Sequence, residues 1–264
     1  MPDLEQQWQV ILMIVAMLMS RMLVAFSIIP LFVGNGVPAT VRVIFVAGLA
    51  CALLPLALAD DTLASIPLAS MPFYVAKEAA IGLVLGLLAS VGFWALYAAG
   101  AIIEYQAGLA FATTIDPLTG QDESLLGSLL VRLFTTLFLV TGGLLSLISM
   151  LFDSYTVWPL SSLTPTVSNP LLVELLLRAL SQLLVTALKV AAPFVILMLM
   201  IEIAFGMLSR FAPMLNVFFL VLPLKVLALA GMLLLYGMVV ASGGVPLLLI
   251  DFSAALGSLR EAWQ

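Results

Sequence analysis

The charged side chains Arg21, Lys77, Glu78, Lys189, Glu202 and Lys225 all stand inside apolar runs of this chain. At the centre of a lipid-exposed helix each costs about 2.5–3.5 kcal/mol on insertion scales, so each must face protein, face water or reach back to a helix end. Reaching back suits Lys77, near the start of its run, and suits Arg21 and Lys189 poorly. The chemistry left to the rest is a polar path or buried pairs between subunits. Covalent chemistry has no visible agent. The chain has no histidine, hence no Ser–His or Cys–His pair and no HExxH zinc helix. It has no Walker loop, no GxGxxG and no acidic cluster for a cation. No enzyme, no cofactor and no metal are expected.

A second polar feature is the stretch FATTIDPLTGQDESLLG, beginning at Phe111. It carries Asp116, Asp122 and Glu123 without a balancing base, the helix breakers Pro117 and Gly120, and an apolar set that includes Ile115, Leu118, Leu125 and Leu126. Residues 108–127 exceed the length of about 12–15 beyond which a connection in a compact fold usually has a function or is disordered. Acids suit a watery lumen, and a free solvated loop has no need of the apolar set. By its residues the stretch is either a functional loop beside a watery space or a disordered exposed loop.

The elements that must position these residues are membrane helices. The chain has 264 residues, 64% hydrophobic and 9% charged, against about 45–50% and 25% in soluble domains. Apolar runs cover 8–33, 43–59, 71–103, 128–152, 171–208 and 214–250. They are continuous rather than alternating, which argues for helices and against a barrel. Run 171–208 would extend about 57 Å as a helix, nearly twice a bilayer core of about 30 Å. Pro193 and Pro223 lie inside the last two runs, where each removes a backbone hydrogen bond, so kinks or half-helices are expected. One domain over 1–264 is the simplest organisation. The net charge of −5 is spread out and offers no basic patch for nucleic acid. The single cysteine, Cys51, reads as a small buried hydrophobe. The N-terminus MPDLEQQWQV lacks a basic signal-peptide region, so the first run is expected to be retained. Arginine placement leaves the orientation open.

Helix spacing makes two further points. Glu78, Gly82, Ala89, Gly92 and Gly100 fall within about 40° of one line, a small-residue stripe along which another helix can approach closely. Packing within one subunit is the simpler use of it. Glu202 and Arg210 stand about 80° apart around a helix and about 12 Å along it, so each needs its partner elsewhere.

Arg210, Pro213, Asn216, Pro223 and Lys225 belong to SRFAPMLNVFFLVLPLK, a hairpin corner with one cation at the bend and another on the returning helix. By physics alone this is an ordinary turn. Its wording resembles the FliR/SctT family of type III export-apparatus membrane proteins, whose Arg-x-Ala-Pro-Gln-x-Asn-Val-Phe stretch is followed by a Pro and often a Lys. The match holds at Arg210, Ala212, Pro213, Asn216, Val217, Phe218, Pro223 and Lys225 and departs at Met214. GAIIEYQAGLAFATTIDPLTG resembles the family's other marker, a Gln-x-Gly-Leu helix end running into an Asp-Pro loop. That loop and Glu202 look more like the virulence-injectisome branch than the flagellar one.

The resemblance implies an all-α polytopic protein of long, partly broken helical hairpins within a helical hetero-oligomeric export gate. Implied partners are FliP/SctR-like and FliQ/SctS-like subunits, FlhB/SctU-like and FlhA/SctV-like proteins, unfolded secreted proteins in transit, and lipid. The implied place is the bacterial inner membrane, partly projecting to the periplasmic side. The family's matching loop lies in the pore as a plug, so the resemblance implies that Phe111, Thr114, Ile115, Asp116, Pro117, Leu118 and Gly120 close the pore, with Phe111 and Ile115 sealing; Glu202, Arg210, Pro213, Asn216, Pro223 and Lys225 become an assembly motif. The rival reading is a secondary transporter or ion channel for a small solute, since transporters also use broken helices and buried charges.

Overall fold

The computed structural model describes residues 2–33, 37–60, 62–63, 66–109, 124–163, 169–211 and 217–241, and among them there is no strand. The plug residues Phe111, Thr114, Ile115, Asp116, Pro117, Leu118 and Gly120 lie outside the described residues, as do Pro213 and Asn216 of the corner. The helices are α1 (Pro2–Ile28), α2 (Ala39–Leu58), α3 (Met71–Ala107), α4 (Leu125–Val140), α5 (Gly143–Val157), α6 (Asn169–Phe211) and α7 (Val217–Ala241). By length and composition, the stretches Trp8–Ile28, Ala39–Leu58, Leu68–Ala107 and Val173–Phe211 can each cross a membrane; α4 and α5 are a further pair bent by 75°. The protein is an all-α polytopic membrane protein.

Two compact units divide the described residues, the first drawn from 2–91 and 138–179, the second from 92–137 and 180–241. In the first, α1 buries Ile14, Met17, Leu18, Arg21, Met22, Ala25 and Phe26, and Ile29 just beyond it is buried too. Their steps of three and four residues make one helix face. A short 3-10 turn, Pro30–Phe32, follows α1. It sets the Phe32 ring edge-on to Phe26 at 4.7 Å and stacked near Phe45 of α2 at 5.8 Å. This aromatic cluster holds the α1–α2 hairpin closed. Beyond α2, Asp60 accepts from the hydroxyl and the backbone N–H of Thr62, and the Thr62 hydroxyl bond is the main reason its carboxyl lies below the ordinary value of 3.8.

The start of α3 runs alongside α1, where two glycines let the backbones meet. A Cβ on Gly82 would lie 2.1 Å from the Arg21 carbonyl oxygen, and one on Gly86 would lie 2.8 Å from that of Ala25. Contacts at 21 with 82 and 25 with 86 advance together by one turn, so the two helices run parallel here. Such close approach gives membrane helices their van der Waals packing.

In the second unit, the end of α3 packs antiparallel on α4. Phe93 meets Phe134 edge-on at 4.8 Å, and a Cβ on Gly100 would lie 2.5 Å from the Gly127 backbone. Helices α6 and α7 leave many large apolar side chains exposed, among them Leu184, Leu188, Met200, Ile203, Met207, Phe219 and Leu227.

Run 128–152 breaks at Thr141–Gly142, where Gly142 takes φ 82, and Gly143 lies under the Phe138 ring, 2.4 Å from where its Cβ would stand. Two expectations need correction. Half-helices at Pro193 and Pro223 do not form; α6 and α7 are each continuous through their proline. A proline removes one hydrogen bond, and the long apolar sequence on both sides still has every reason to stay helical. Cys51 is exposed rather than buried, because the α2 face that carries it points away from α1.

Candidate functional site

Two buried polar clusters organise the sequence's costly charges. The first is built on Arg21, at the middle of the buried face of α1. Its Nε donates to Glu78 Oε2 at 2.6 Å, one terminal nitrogen donates to Ser154 Oγ of α5 at 2.9 Å, and the other donates to the Trp158 carbonyl at 3.0 Å. The guanidinium also lies 3.9 Å over the Tyr155 ring, a cation–π contact worth more where water is excluded. Lys77 stands 2.7 Å from the second Glu78 oxygen, out of hydrogen-bonding alignment. Its ammonium donates instead to the carbonyls of Pro159, Leu160 and Ser162. The cluster joins α1, α3 and α5 within one chain. Arg21, Lys77 and Glu78 are thus partnered internally, and Lys77 anchors the turn after α5 rather than reaching for a helix end.

The second cluster lies in the corner motif. Lys225 of α7, 6% exposed at its side chain, pairs with Glu202 of α6. It also donates to the Gln106 carbonyl in the last turn of α3 at 2.9 Å, while Gln106 Nε2 donates to Glu202 at 3.3 Å. The Gln-x-Gly-Leu marker and the corner marker therefore meet in space. Next to them Gly108 ends α3 with φ 77, its N–H on the Tyr105 carbonyl at 3.1 Å. Positive φ at a helix end favours glycine. A groove of about 590 Å3, lined by Gly108, Leu109, Leu222, Pro223, Val226 and neighbours, adjoins this helix end.

The remaining site residues divide. Of the stripe, Glu78, Gly82 and Ala89 are buried in the first unit, Gly92 is half-buried, and Gly100 meets Gly127 in the second. The stripe is used for packing within the chain, on two neighbouring helices in succession. Arg210 is exposed and makes no ion pair among the described residues, and Glu202 finds its partner in Lys225. Pro223 is exposed on the groove. Sequence reasoning missed Glu104, which lies one residue beyond run 71–103. It is 5% exposed and accepts from Ser124 Oγ at 2.5 Å and from the Leu126 N–H at 3.2 Å. Its signal was its place beside that run, in the Gln-x-Gly-Leu stretch. Among the described residues no group of three His, Cys, Asp or Glu side chains could hold a metal ion.

Residues 12–244 match the family of bacterial export proteins, family 1. The chain is 40% identical over 164 residues to Yop proteins translocation protein T of Yersinia pestis, 62% of either chain. It is 36% identical over 152 residues to surface presentation of antigens protein SpaR of Salmonella typhimurium, 57% of this chain and 56% of that one. Against flagellar biosynthetic protein FliR of Escherichia coli it is 32% identical over 206 residues, 77% of this chain and 76% of that one. The alignments with the Yersinia and Salmonella relatives thus span less than two thirds of those proteins. With a family match running from α1 into the residues beyond α7, and with the two markers meeting at Gln106, Glu202 and Lys225, the chain belongs to family 1 of the bacterial export proteins, the FliR/SctT family.

Proposed function

We propose that this protein is a non-enzymatic subunit of a type III export gate in the bacterial inner membrane, of the virulence-injectisome branch, and that it lines and plugs the pore taken by unfolded secreted proteins. One observation carries the reading beyond family membership. The apolar stretch Val173–Phe211 is 39 residues long and only 28% of its most apolar window is buried. As a helix it extends about 58 Å, well past a bilayer core of about 30 Å. Lipid cannot cover all of that surface, and an apolar face of that size left in water is unstable. Neighbouring subunits supply the cover: FliP/SctR-like and FliQ/SctS-like proteins around it, with FlhB/SctU-like and FlhA/SctV-like proteins against the assembly. Part of the protein then projects to the periplasmic side. Arg210, Pro213 and Asn216 serve the corner where such neighbours attach.

The plug is residues 111–126. A stretch that the helix breakers Pro117 and Gly120 keep out of a helix, with an apolar knob at Phe111 and Ile115, would hold back ions in an idle gate and yield to a passing polypeptide. Co-expression tests the assembly: the chain should leave the membrane in a stable complex with the SctR-like and SctS-like proteins and be polydisperse without them. A stable, monodisperse monomer would overturn the gate reading. Shortening 115–124 tests the plug. The complex should assemble but leak ions and small solutes in the absence of substrate, and normal impermeability would refute it.

A further inference from the structure

The turn after α5 presents five consecutive backbone carbonyls, 158–162, and a side chain donates to every one of them. Arg21 donates to the Trp158 carbonyl at 3.0 Å. The Lys77 ammonium donates to Pro159 and Leu160 at 3.2 Å and to Ser162 at 3.0 Å. Tyr74 Oη donates to Ser161 at 3.4 Å, and Trp158 Nε1 also donates to Ser162 at 3.2 Å. Carbonyls taken out of water are mostly paired with backbone N–H groups or ordered water. Here three of them converge on one ammonium, on a side chain that is 8% exposed.

The oxygens outnumber the donors. An ammonium has three N–H groups, and the three carbonyls take them all. A fourth oxygen, Glu78 Oε1, stands 2.7 Å from the same nitrogen on a fully buried side chain, with no hydrogen bond among the described residues. It is held by charge alone. A spherical ion has no donor directions to use up and can serve all four oxygens at once, as backbone carbonyls do for potassium in channel filters. The distances of 2.7–3.2 Å exceed the about 2.3–2.6 Å of calcium–oxygen contacts, so the shell fits a larger, monovalent cation. The field has the right sign as well. Among the described residues Arg21 and Lys77 share one carboxylate, Glu78. The second positive charge is offset by the turn's carbonyl dipoles and by the negative C-terminus of α5.

We propose that the turn 158–162 and Glu78 form a monovalent-cation site whose built-in occupant is the Lys77 ammonium. Lys77 is a positioning residue for the turn: it supplies a tethered ion, so the turn needs no free one. Removal of the tether opens the site to potassium or to a small alkylammonium. All of these contacts lie within the first unit, and none depends on the gate reading.

The test compares the unsubstituted full-length chain with Lys77→Ala and Lys77→Met, each extracted in detergent with whatever subunits accompany it. Alanine leaves the space of the lysine stem open, and methionine refills it without a charge. Thermal unfolding is followed in potassium chloride, propylammonium chloride and N-methylglucamine chloride at equal ionic strength. Propylammonium reproduces the lysine side chain beyond Cβ, and N-methylglucamine is too bulky to enter. Lys77→Ala should melt lowest in N-methylglucamine, and potassium and propylammonium should each raise its midpoint by several degrees, saturably. The unsubstituted chain and Lys77→Met should show only a common salt effect. A Lys77→Ala midpoint that neither cation moves beyond that common effect overturns the proposal, and so does an equal response of Lys77→Met. Should Lys77→Ala be too unstable to melt, recovery after extraction decides: recovery in potassium or propylammonium but not in N-methylglucamine upholds the site, and loss in all of them overturns it.

Discussion

Arg21 and Glu78, 57 positions apart in the chain, meet through a 2.6 Å bond with both side chains fully buried. Arg21 Nε is matched to one carboxylate oxygen, and the remaining guanidinium nitrogens are taken by Ser154 and Trp158. A buried pair so satisfied is weak evidence of added stability, yet removing one member strands the other. Glu78→Ala would leave two cations, Arg21 and Lys77, facing one another without their shared anion. It should cost about 3–5 kcal/mol, and Arg21→Ala a similar amount. The double change Arg21→Met with Glu78→Leu should be the least damaging. Thermal unfolding of the complex in detergent checks the order; a double variant worse than both singles would contradict it.

Gly82 should tolerate nothing larger. Its missing Cβ would fall 2.1 Å from the Arg21 carbonyl oxygen, which is helix backbone and cannot swing aside. Gly82→Ala should separate α1 from α3 and cost about 1–3 kcal/mol by overpacking, disturbing the Arg21–Glu78 bond as it does so. Gly48→Ala and Gly206→Ala are the controls, since nothing lies within 4 Å of a Cβ at either glycine. Equal melting behaviour for Gly82→Ala and the controls would show that the helices can part freely.

Glu202 should matter less than Glu78. Its side chain is 42% exposed against 0% for Glu78, and Lys225 keeps the Gln106 carbonyl when it is lost. Glu202→Ala should therefore cost about 1–3 kcal/mol, the range for leaving a buried donor partly unsatisfied. Melting of this variant beside Glu78→Ala gives the comparison, and a larger loss at Glu202 would count against it.

Asp60 supplies a pH dependence outside the membrane helices. The Thr62 hydroxyl holds its folded carboxyl below the ordinary 3.8. A depressed folded value means stability that is present above the ordinary value and lost as pH falls through the folded one. Thr62→Val should therefore lower the melting midpoint slightly at neutral pH, and the gap from the unsubstituted protein should close as pH falls below the carboxylate range. A gap that widens in acid would reverse the sign.

Helix class, and most of where the helices run, follow from sequence by itself. Continuous apolar runs leave the backbone no other way to satisfy its polar groups in lipid, and the glycines at 82 and 100 already mark a face made for close approach. The corner is legible too, because Pro213 ends one helix-like run and the apolar residues after it begin another. Tertiary structure decided the rest. In 128–152 the adjacent glycines 142 and 143 are a break signal, but the apolar sequence on both sides is equally at home in one helix; the Phe138 ring packed over Gly143 and the 75° bend belong to the tertiary structure. Prolines 193 and 223 looked like break points, and the sequence does not say whether the helix carries on past a missing hydrogen bond. Above all, a buried charge announces that it needs a partner without saying which. Arg21 found Glu78, and Lys225 found Glu202 and the end of α3. Ion pairs form between helices that are neighbours in space, and helix neighbours are chosen by packing over the whole chain rather than by the residues that end up paired.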